Sequence, residues 1–316
     1  MKNLFQKFGL ATSILALSLS SAASAHELEK PAPVQNVQVP NVQVPLSEVE
    51  LDGPALWKVA DEDTTIFLFG TVHALPEGVD WYKGSIADAL GASDKLVTEI
   101  YLAPGSEMQA QAAFMSKGML PEGESLRDML SAEDKVTYEA AMTKLGLPAA
   151  TFDRFEPWMA AVNMSMLPLL KAGYSPDTGV EKVLEANAEG KPRGELESIE
   201  FQVGVFDSLP LEAQIKFLME GARGIDEIVP MLGNMVDEWI EGDPDGLALL
   251  MNEGFSDPAL AEALLYSRNR NWAEWIDTRL DSPGTVFVAV GAGHLAGEKS
   301  VQDVLDTRGI KSIRIQ

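Results

Sequence analysis

Two segments near opposite ends of the chain carry the same pattern, which limits the fold more than any other feature. The segments "IFLFGTVH" (Ile66 to His73) and "FVAVGAGH" (Phe287 to His294) each run from apolar residues to a glycine, two further residues and a histidine. Short apolar runs that stop at glycine are typical of buried strands. We therefore predict two strands of one central sheet, each with a histidine just past its carboxyl end.

The rest of the folded region predicts an α+β or α/β protein with a large helical middle. The segment "ALWKVA" precedes the first strand across "DEDT", which predicts a hairpin, and "KLVTEIYL" predicts a further strand. Residues from about 102 to 280 have mostly helical spacing, with Ser131 and Gly146 as start and stop signals of one helix. Strands from both ends of the chain with helices between them fit one sheet covered by helices.

The first 25 residues have the features of a signal peptide. They combine a basic start, a short apolar stretch and small residues up to Ala25. Residues 26–50 repeat "NVQVP" in tandem, which predicts an extended linker, and residues 51–316 are predicted to form one domain. We expect cleavage after Ala25, export to the periplasm and no mature transmembrane segment, because no later apolar run reaches about 18 residues.

The composition removes several classes of function. The chain has no cysteine, so disulfides and thiolate metal ligands are excluded. Its formal net charge of −24 repels nucleic acid and anionic lipid, since both are bound through cationic side chains. We therefore expect no nucleic-acid partner.

The two histidines point to a metal site at the edge of the sheet. In open α/β sheets, ligands bind beyond the carboxyl ends of the strands. Imidazole is a common ligand of Zn²⁺, Mn²⁺ and Co²⁺, and hydrolytic sites often add a carboxylate. Glu99 lies inside the predicted strand "LVTEIYL", where a carboxylate is costly unless it is paired or bound to metal. We predict His73, His294 and Glu99 as the metal ligands.

Two further glutamates, Glu195 and Glu197, follow a predicted short strand in "GELES" and would reach the same sheet edge. We expect Arg154, in "FDRFEPW", to form an ion pair with one of them. Plainer interpretations stay open: Glu99 on an exposed strand edge, Glu197 on the solvated surface, and Arg154 in a structural ion pair. With these alternatives in view, the candidate catalytic residues are Glu99, Glu197 and Arg154.

Other motifs do not lead to a function. The segment "GAGHLA" matches a dinucleotide-binding pattern, but "IKSIRIQ", where the ribose-binding acid is expected, contains no acidic residue. The segment "EGDPDGLALLMN" lacks the closing glutamate of an EF-hand loop and predicts a connection between two helices. The chain contains neither G-x-S-x-G nor H-E-x-x-H, which excludes a nucleophile elbow and a zincin-type helix.

Five segments together resemble the TraB/GumN family, also called TraB/PrgY/GumN: "GTVH", "GAGHLAG", "LVTEIYL", "FEPWMAA" and "GKPRGELESIEFQ". The resemblance runs from about Trp57 to Ile315, and the two G-x-x-H motifs are its specific part. The Tiki proteins, membrane-associated metalloproteases that act on Wnt, are similar to this family. The resemblance implies a fold like the erythromycin-esterase/ChaN-like group and a divalent-metal hydrolase site.

The same resemblance places the family's motif residues on five positions of this chain: His73, His294, Glu99, Glu197 and Gln202. It also marks one departure. In "TGVEKVL" the family pattern leads us to expect an aspartate where this chain has Glu181. The resemblance therefore does not assign a role to this position.

Two classes of function remain. In the first, the protein is a peptidase-like hydrolase of peptides or small amides or esters. Its Mn²⁺, Co²⁺ or Zn²⁺ would lower the pKa of water toward about 7 and polarise the scissile carbonyl, while Glu99 or Glu197 takes the proton. In the second, it is a non-catalytic periplasmic protein that binds a peptide or a signal.

Overall fold

The structure is a computed structural model that describes residues 53–254 and 258–316. The predicted signal peptide and linker lie outside the described residues. Among the described residues, no helix combines the length and the apolar character that crossing a bilayer requires.

A six-stranded mixed sheet forms the centre of the molecule. Its strands are β1 (Leu56–Ala60), β2 (Thr64–Thr71), β4 (Lys95–Thr98), β6 (Arg193–Glu195), β7 (Gly284–Gly291) and β8 (Ser312–Arg314). They lie in the order β6-β4-β7-β2-β1-β8. Strands β6, β4, β7 and β2 are mutually parallel, whereas β1 is antiparallel to both β2 and β8. Strands from both ends of the chain therefore share one sheet, as predicted.

Strands β2 and β7 are the two apolar runs that precede the histidines, and they are direct neighbours. Their parallel register places Thr71 opposite Gly291 at the carboxyl end. The two G-x-x-H segments therefore leave the sheet side by side. A Cβ on Gly70 would lie 2.9 Å from Cα of Ala292, so glycine is what lets the second turn pass so close to β2.

Helices make up the predicted middle of the chain and cover both faces of the sheet. A second, two-stranded sheet pairs β3 (Leu75–Pro76) with β5 (Tyr174–Ser175). The helices are α1 (Gly84–Ala92), α2 (Glu107–Gly118), α3 (Leu126–Met129), α4 (Ala132–Leu145), α5 (Pro157–Lys171), α6 (Val180–Asn187), α7 (Ile199–Asp207), α8 (Leu211–Arg223), α9 (Ile228–Glu241), α10 (Pro244–Gly254), α11 (Pro258–Ala261), α12 (Ser267–Leu280) and α13 (Val301–Thr307).

Alternation along the central strands assigns each face its own core. Phe69 and Phe287 face the large hydrophobic cluster formed with the helical middle. Leu68 and Val288 face the opposite cluster, which contains Trp272 of α12. Both faces of the central strands are thus buried, which explains why β2 and β7 read as continuous apolar runs.

The structure corrects one strand boundary that matters for the site. Strand β4 ends at Thr98, so Glu99 follows the strand and does not lie inside it. The Thr98 hydroxyl donates to the Ile100 carbonyl, and the Glu99 carbonyl accepts the N–H groups of Leu196 and Glu197. The chain therefore turns after Thr98, and the hydrogen bonds of the Glu99 carbonyl keep Glu197 beside Glu99.

Candidate functional site

Five buried side chains meet at the carboxyl edge of the central sheet. His73, Glu99, Glu197 and His294 follow β2, β4, β6 and β7, and Arg268 reaches the same place from α12. We call this group the edge cluster. Its members are between 1% and 8% exposed, so each charge has to be balanced by a neighbour.

Glu99 lies at the middle of the edge cluster. Its Oε1 accepts the Gly291 N–H at 2.6 Å, and its Oε2 accepts Arg268 Nη2 at 2.6 Å and Gln202 Nε2 at 3.1 Å. Burial alone would raise the pKa of Glu99. Arg268, the two histidines and the Gly291 N–H outweigh burial and lower this pKa to about 2. Glu99 is therefore a carboxylate at neutral pH.

Arg268 holds the two carboxylates together. Its Nε donates to both oxygens of Glu197, at 2.9 Å to Oε1 and 3.0 Å to Oε2. Its Nη2 donates to Glu197 Oε2 at 2.8 Å and also reaches Glu99. Trp272 Nε1 donates to Glu197 Oε1 at 2.9 Å, and the Arg268 guanidinium lies over the Trp272 ring. Burial raises the pKa of Glu197 even though the Arg268 guanidinium acts in the other direction. Three N–H donor groups thus hydrogen-bond to the two carboxylate oxygens of Glu197.

A π-helical turn, Glu262–Tyr266, directly precedes α12. In this turn the Ser267 N–H reaches back five residues to the Glu262 carbonyl. The Leu264 carbonyl accepts Nη1 of Arg268 at 3.1 Å. The turn therefore supplies an additional backbone acceptor that fixes the guanidinium.

His294 is held as a neutral imidazole. Its Nδ1 lies 2.6 Å from Asn269 Oδ1, and its Nε2 lies 3.1 Å from Arg268 Nη1. A guanidinium only donates hydrogen bonds, so Nε2 is the acceptor and Nδ1 carries the proton that goes to Asn269. Burial, followed by the Arg268 charge, lowers the pKa of His294 to about 3.

His73 has a different environment. Its Nδ1 lies 2.6 Å from Glu181 Oε1, although the angles at this contact are not those of a hydrogen bond, and Nε2 has no hydrogen-bond partner among the described residues. Burial lowers the pKa of His73, but Glu181 and then Glu99 outweigh it, so the pKa is raised. Glu181 lies in the first turn of α6. This is the position where the family pattern led us to expect an aspartate, and the Glu181 carboxylate lies beside the His73 imidazole.

The backbone explains how Glu181 reaches His73. We call the two G-x-x-H segments, residues 70–73 and 291–294, the first and second histidine corners. The Val180 N–H donates to the Val72 carbonyl at 3.0 Å, which docks the start of α6 on the first histidine corner. A Cβ on Gly179 would collide with the backbone carbonyl oxygen of His73. Glycine is therefore required for this close approach.

Gly291 marks the point where the two corners converge. A Cβ placed there would lie 3.0 Å from Glu99 Oε1, 3.5 Å from His294 Cδ2 and 4.0 Å from His73 Nε2. The missing side chain leaves the two imidazoles and the Glu99 carboxylate facing the same small region. The structure thus brings together the three side chains predicted as metal ligands.

The chemistry of these three side chains fits a divalent metal, although their spacing in this structure is wider than ligation. Each imidazole has its Nδ1 beside a side-chain oxygen and its Nε2 turned inward, which is how proteins orient metal-ligating histidines. However, His294 Nε2 is 3.8 Å from Glu99 Oε1 and is taken by Arg268. Within the described ranges, no group of three or more histidine and carboxylate side chains is already spaced to hold a metal ion.

Arg154 lies elsewhere, and the expected ion pair with Glu195 or Glu197 is wrong. Its guanidinium donates to three backbone carbonyls, those of Leu120, Pro121 and Glu124. Arg268 makes the pair with Glu197. Glu195 accepts the Tyr101 N–H at the exposed edge of the sheet. The solvated-surface interpretation of Glu197 is also wrong, because this side chain is buried.

Arg268 is the residue that the sequence analysis missed. The signal was present in "LLYSRNRNW", where Leu264, Arg268 and Trp272 follow one another at four-residue intervals. This spacing places an arginine on the apolar stripe of a helix. A cation at such a position predicts a buried acidic partner.

Comparisons with known proteins identify relatives of this chain. The family model described as "TraB/PrgY/gumN family" matches residues 55–314. An uncharacterized protein of Treponema pallidum (strain Nichols) is 23% identical over 270 residues, which cover 80% of each chain. The uncharacterized protein YbaP of Escherichia coli (strain K12) is 26% identical over 188 residues, 59% of this chain and 70% of YbaP.

No solved structure matched the chain significantly. The family match covers most of the sequence and includes both histidine corners. This chain belongs to the TraB/PrgY/gumN family.

Proposed function

We propose that this protein is an exported, metal-dependent hydrolase of peptides or small amides or esters. One observation carries the proposal. At the junction of the two histidine corners, a buried imidazole nitrogen, His73 Nε2, has no hydrogen-bond partner among the described residues and faces the same region as the ionised Glu99. A buried polar atom without a partner is costly, and a ligand would satisfy it.

The donor set supports a divalent metal. His73, His294 and Glu99 would hold the ion, and Mn²⁺, Co²⁺ and Zn²⁺ accept such nitrogen and oxygen ligands. When bound, the ion would supply Lewis acidity and a water of lowered pKa. Glu181 and Asn269 would orient the two imidazoles through their Nδ1 atoms.

The two glutamates of the edge cluster have different roles. Glu99 Oε1 accepts a single N–H, so it keeps one lone pair, which would ligate the metal. Both oxygens of Glu197 accept hydrogen bonds from Arg268 and Trp272, so Glu197 would position Arg268. The geometry therefore favours Glu99 over Glu197 as the carboxylate ligand.

Exposure supports one direction of approach to the site. The Glu181 side chain is 20% exposed, whereas His294 and Arg268 are 1% exposed. A substrate would therefore reach the edge cluster past Glu181 and His73, and the side of α12 would remain closed. The predicted signal peptide supports a periplasmic location for this chemistry.

The test is turnover by the mature chain, residues 26–316. The protein, supplied separately with Mn²⁺, Co²⁺ or Zn²⁺, is incubated with a defined peptide mixture, and new termini are identified by mass spectrometry. We expect cleavage by the wild type and by Lys144→Ala, an exposed-surface control, and none by His73→Ala. Binding of a peptide by wild type and His73→Ala without cleavage by either would contradict the proposal and favour the non-catalytic binding protein.

A further inference from the structure

The Arg268 guanidinium contacts two of the three side chains proposed as metal ligands. Its Nη2 is 2.6 Å from Glu99 Oε2, and its Nη1 is 3.1 Å from His294 Nε2. Both contacts are made deep in the protein, where Arg268 is 1% exposed. A permanent cation thus occupies the place toward which the proposed ligands point.

The two partners of His294 exclude each other. A neutral imidazole has one acceptor nitrogen with one lone pair, and the proton on Nδ1 is committed to Asn269. Nε2 can therefore accept the Arg268 N–H or bind a metal, but not both. Glu99 has no such conflict, because its Oε1 keeps an unused lone pair.

The surroundings let Arg268 release His294 without leaving its other partners. Nε and Nη2 stay with Glu197, and Nη1 keeps the Leu264 carbonyl of the π-helical turn. Only one N–H···N hydrogen bond has to be given up. The charge of the guanidinium remains close to the site and opposes a divalent ion.

We propose that Arg268 is a gate on metal loading. In the metal-free protein its Nη1 blocks the His294 lone pair, and metal binds in full only after Nη1 withdraws toward Leu264. The gate lowers the affinity for metal and ties occupancy of the site to the position of α12. This inference rests on the proposed function, since it concerns the same three ligands.

The experiment compares Zn²⁺, Mn²⁺ and Co²⁺ affinities by titration calorimetry of the mature chain. Arg268→Gln removes the charge and the forked donor, and Arg127→Gln is the matched control. Arg127 also pairs with two carboxylates, Asp153 and Glu139, but lies in the helical middle. We expect Arg268→Gln to bind metal about tenfold more tightly, as loss of one charge-assisted hydrogen bond implies. Arg127→Gln should match the wild type.

A further variant tests whether the gate acts through His294. Adding His294→Ala to Arg268→Gln should abolish the gain in affinity. Equal affinities in wild type and Arg268→Gln, or weaker binding by Arg268→Gln, would overturn the gate and leave metal binding in place. Failure of every protein to bind any of the three ions would instead overturn the metal-dependent function, and the gate with it.

Removing Arg268 leaves two buried carboxylates uncompensated, so Arg268→Gln alone is at risk of unfolding. The double variant Arg268→Gln/Glu197→Gln removes one positive and one negative charge and gives the same comparison. The wild type offers a measurement that needs no variant. With ¹⁵N-labelled histidine, addition of Zn²⁺ should shift the His294 Nε2 resonance. An unchanged resonance at saturating bound Zn²⁺ would overturn the gate.

Discussion

At the residue scale, the imidazole–carboxylate contact between His73 and Glu181 organises the open side of the site. The contact lowers the pKa of Glu181, where burial alone would raise it, and raises the pKa of His73. The carboxylate lies beside Nδ1 and thereby leaves Nε2 as the ring nitrogen that turns inward. Glu181 makes this contact at a position where the family pattern led us to expect the shorter aspartate.

Glu181→Gln keeps the size of the side chain and removes its charge. Since a carboxylate that orients a ligating histidine is typically worth a factor of 10–100 in metal affinity, we expect a loss of about that size in calorimetric titration. Glu195→Gln, at the exposed edge of the sheet, should bind like the wild type. Unchanged affinity in Glu181→Gln would show that Glu181 does not orient His73.

Arg154 is predicted to act on stability alone. Its guanidinium joins three backbone carbonyls around residues 120–124, so Arg154→Ala should lower the free energy of unfolding by about 1–3 kcal/mol. Urea denaturation measures this change, with the exposed ion-pair variant Arg308→Ala expected to cost less than about 1 kcal/mol. Weaker metal binding by Arg154→Ala would contradict this prediction and show that Arg154 also contributes to the site.

At the element scale, the strands and helix ends that depend on a local sequence pattern could be predicted. The two apolar runs that end at glycine form β2 and β7. Helix α4 is capped at its start by Ser131, whose hydroxyl accepts the Asp134 N–H, and at its end by the left-handed Gly146. The end of β4 before Glu99 was missed because apolar alternation continues through "LVTEIYL" while the backbone turns. Arg268 was missed because its partners, Glu99 and Glu197, follow β4 and β6, which are far away in the chain.

Gly179 is predicted to control the docking of α6. Its φ of −59° suits any residue, so the obstacle to alanine is the backbone around it: a Cβ would collide with the His73 carbonyl and lie 3.0 Å from the Pro176 carbonyl oxygen. Gly179→Ala should cost about 1–3 kcal/mol in thermal unfolding and weaken metal binding, because Glu181 moves with α6. Gly204→Ala, in α7 with open space around it, should stabilise by roughly 0.5–1 kcal/mol. Equal stability of the two variants would contradict this account of α6.

At the scale of the whole molecule, the fold brings distant parts of the chain to one sheet edge. Strands β2 and β7 are neighbours although more than 200 residues separate them in the sequence. The helices that precede α12 cover one face, and α12 and α13 cover the other. Fold class could be predicted from the order of strands and helices. The closure of the site by α12 could not, since it depends on packing between elements.

Elemental analysis of residues 26–316 shows whether the two histidine corners form one metal site. The chain is purified without chelator, incubated with Mn²⁺, Co²⁺ or Zn²⁺ and desalted, beside the double variant His73→Ala/His294→Ala. We expect close to one metal ion per chain in the wild type and loss of that ion in the variant. A wild type that retains no metal, or a variant that retains as much as the wild type, would contradict this expectation.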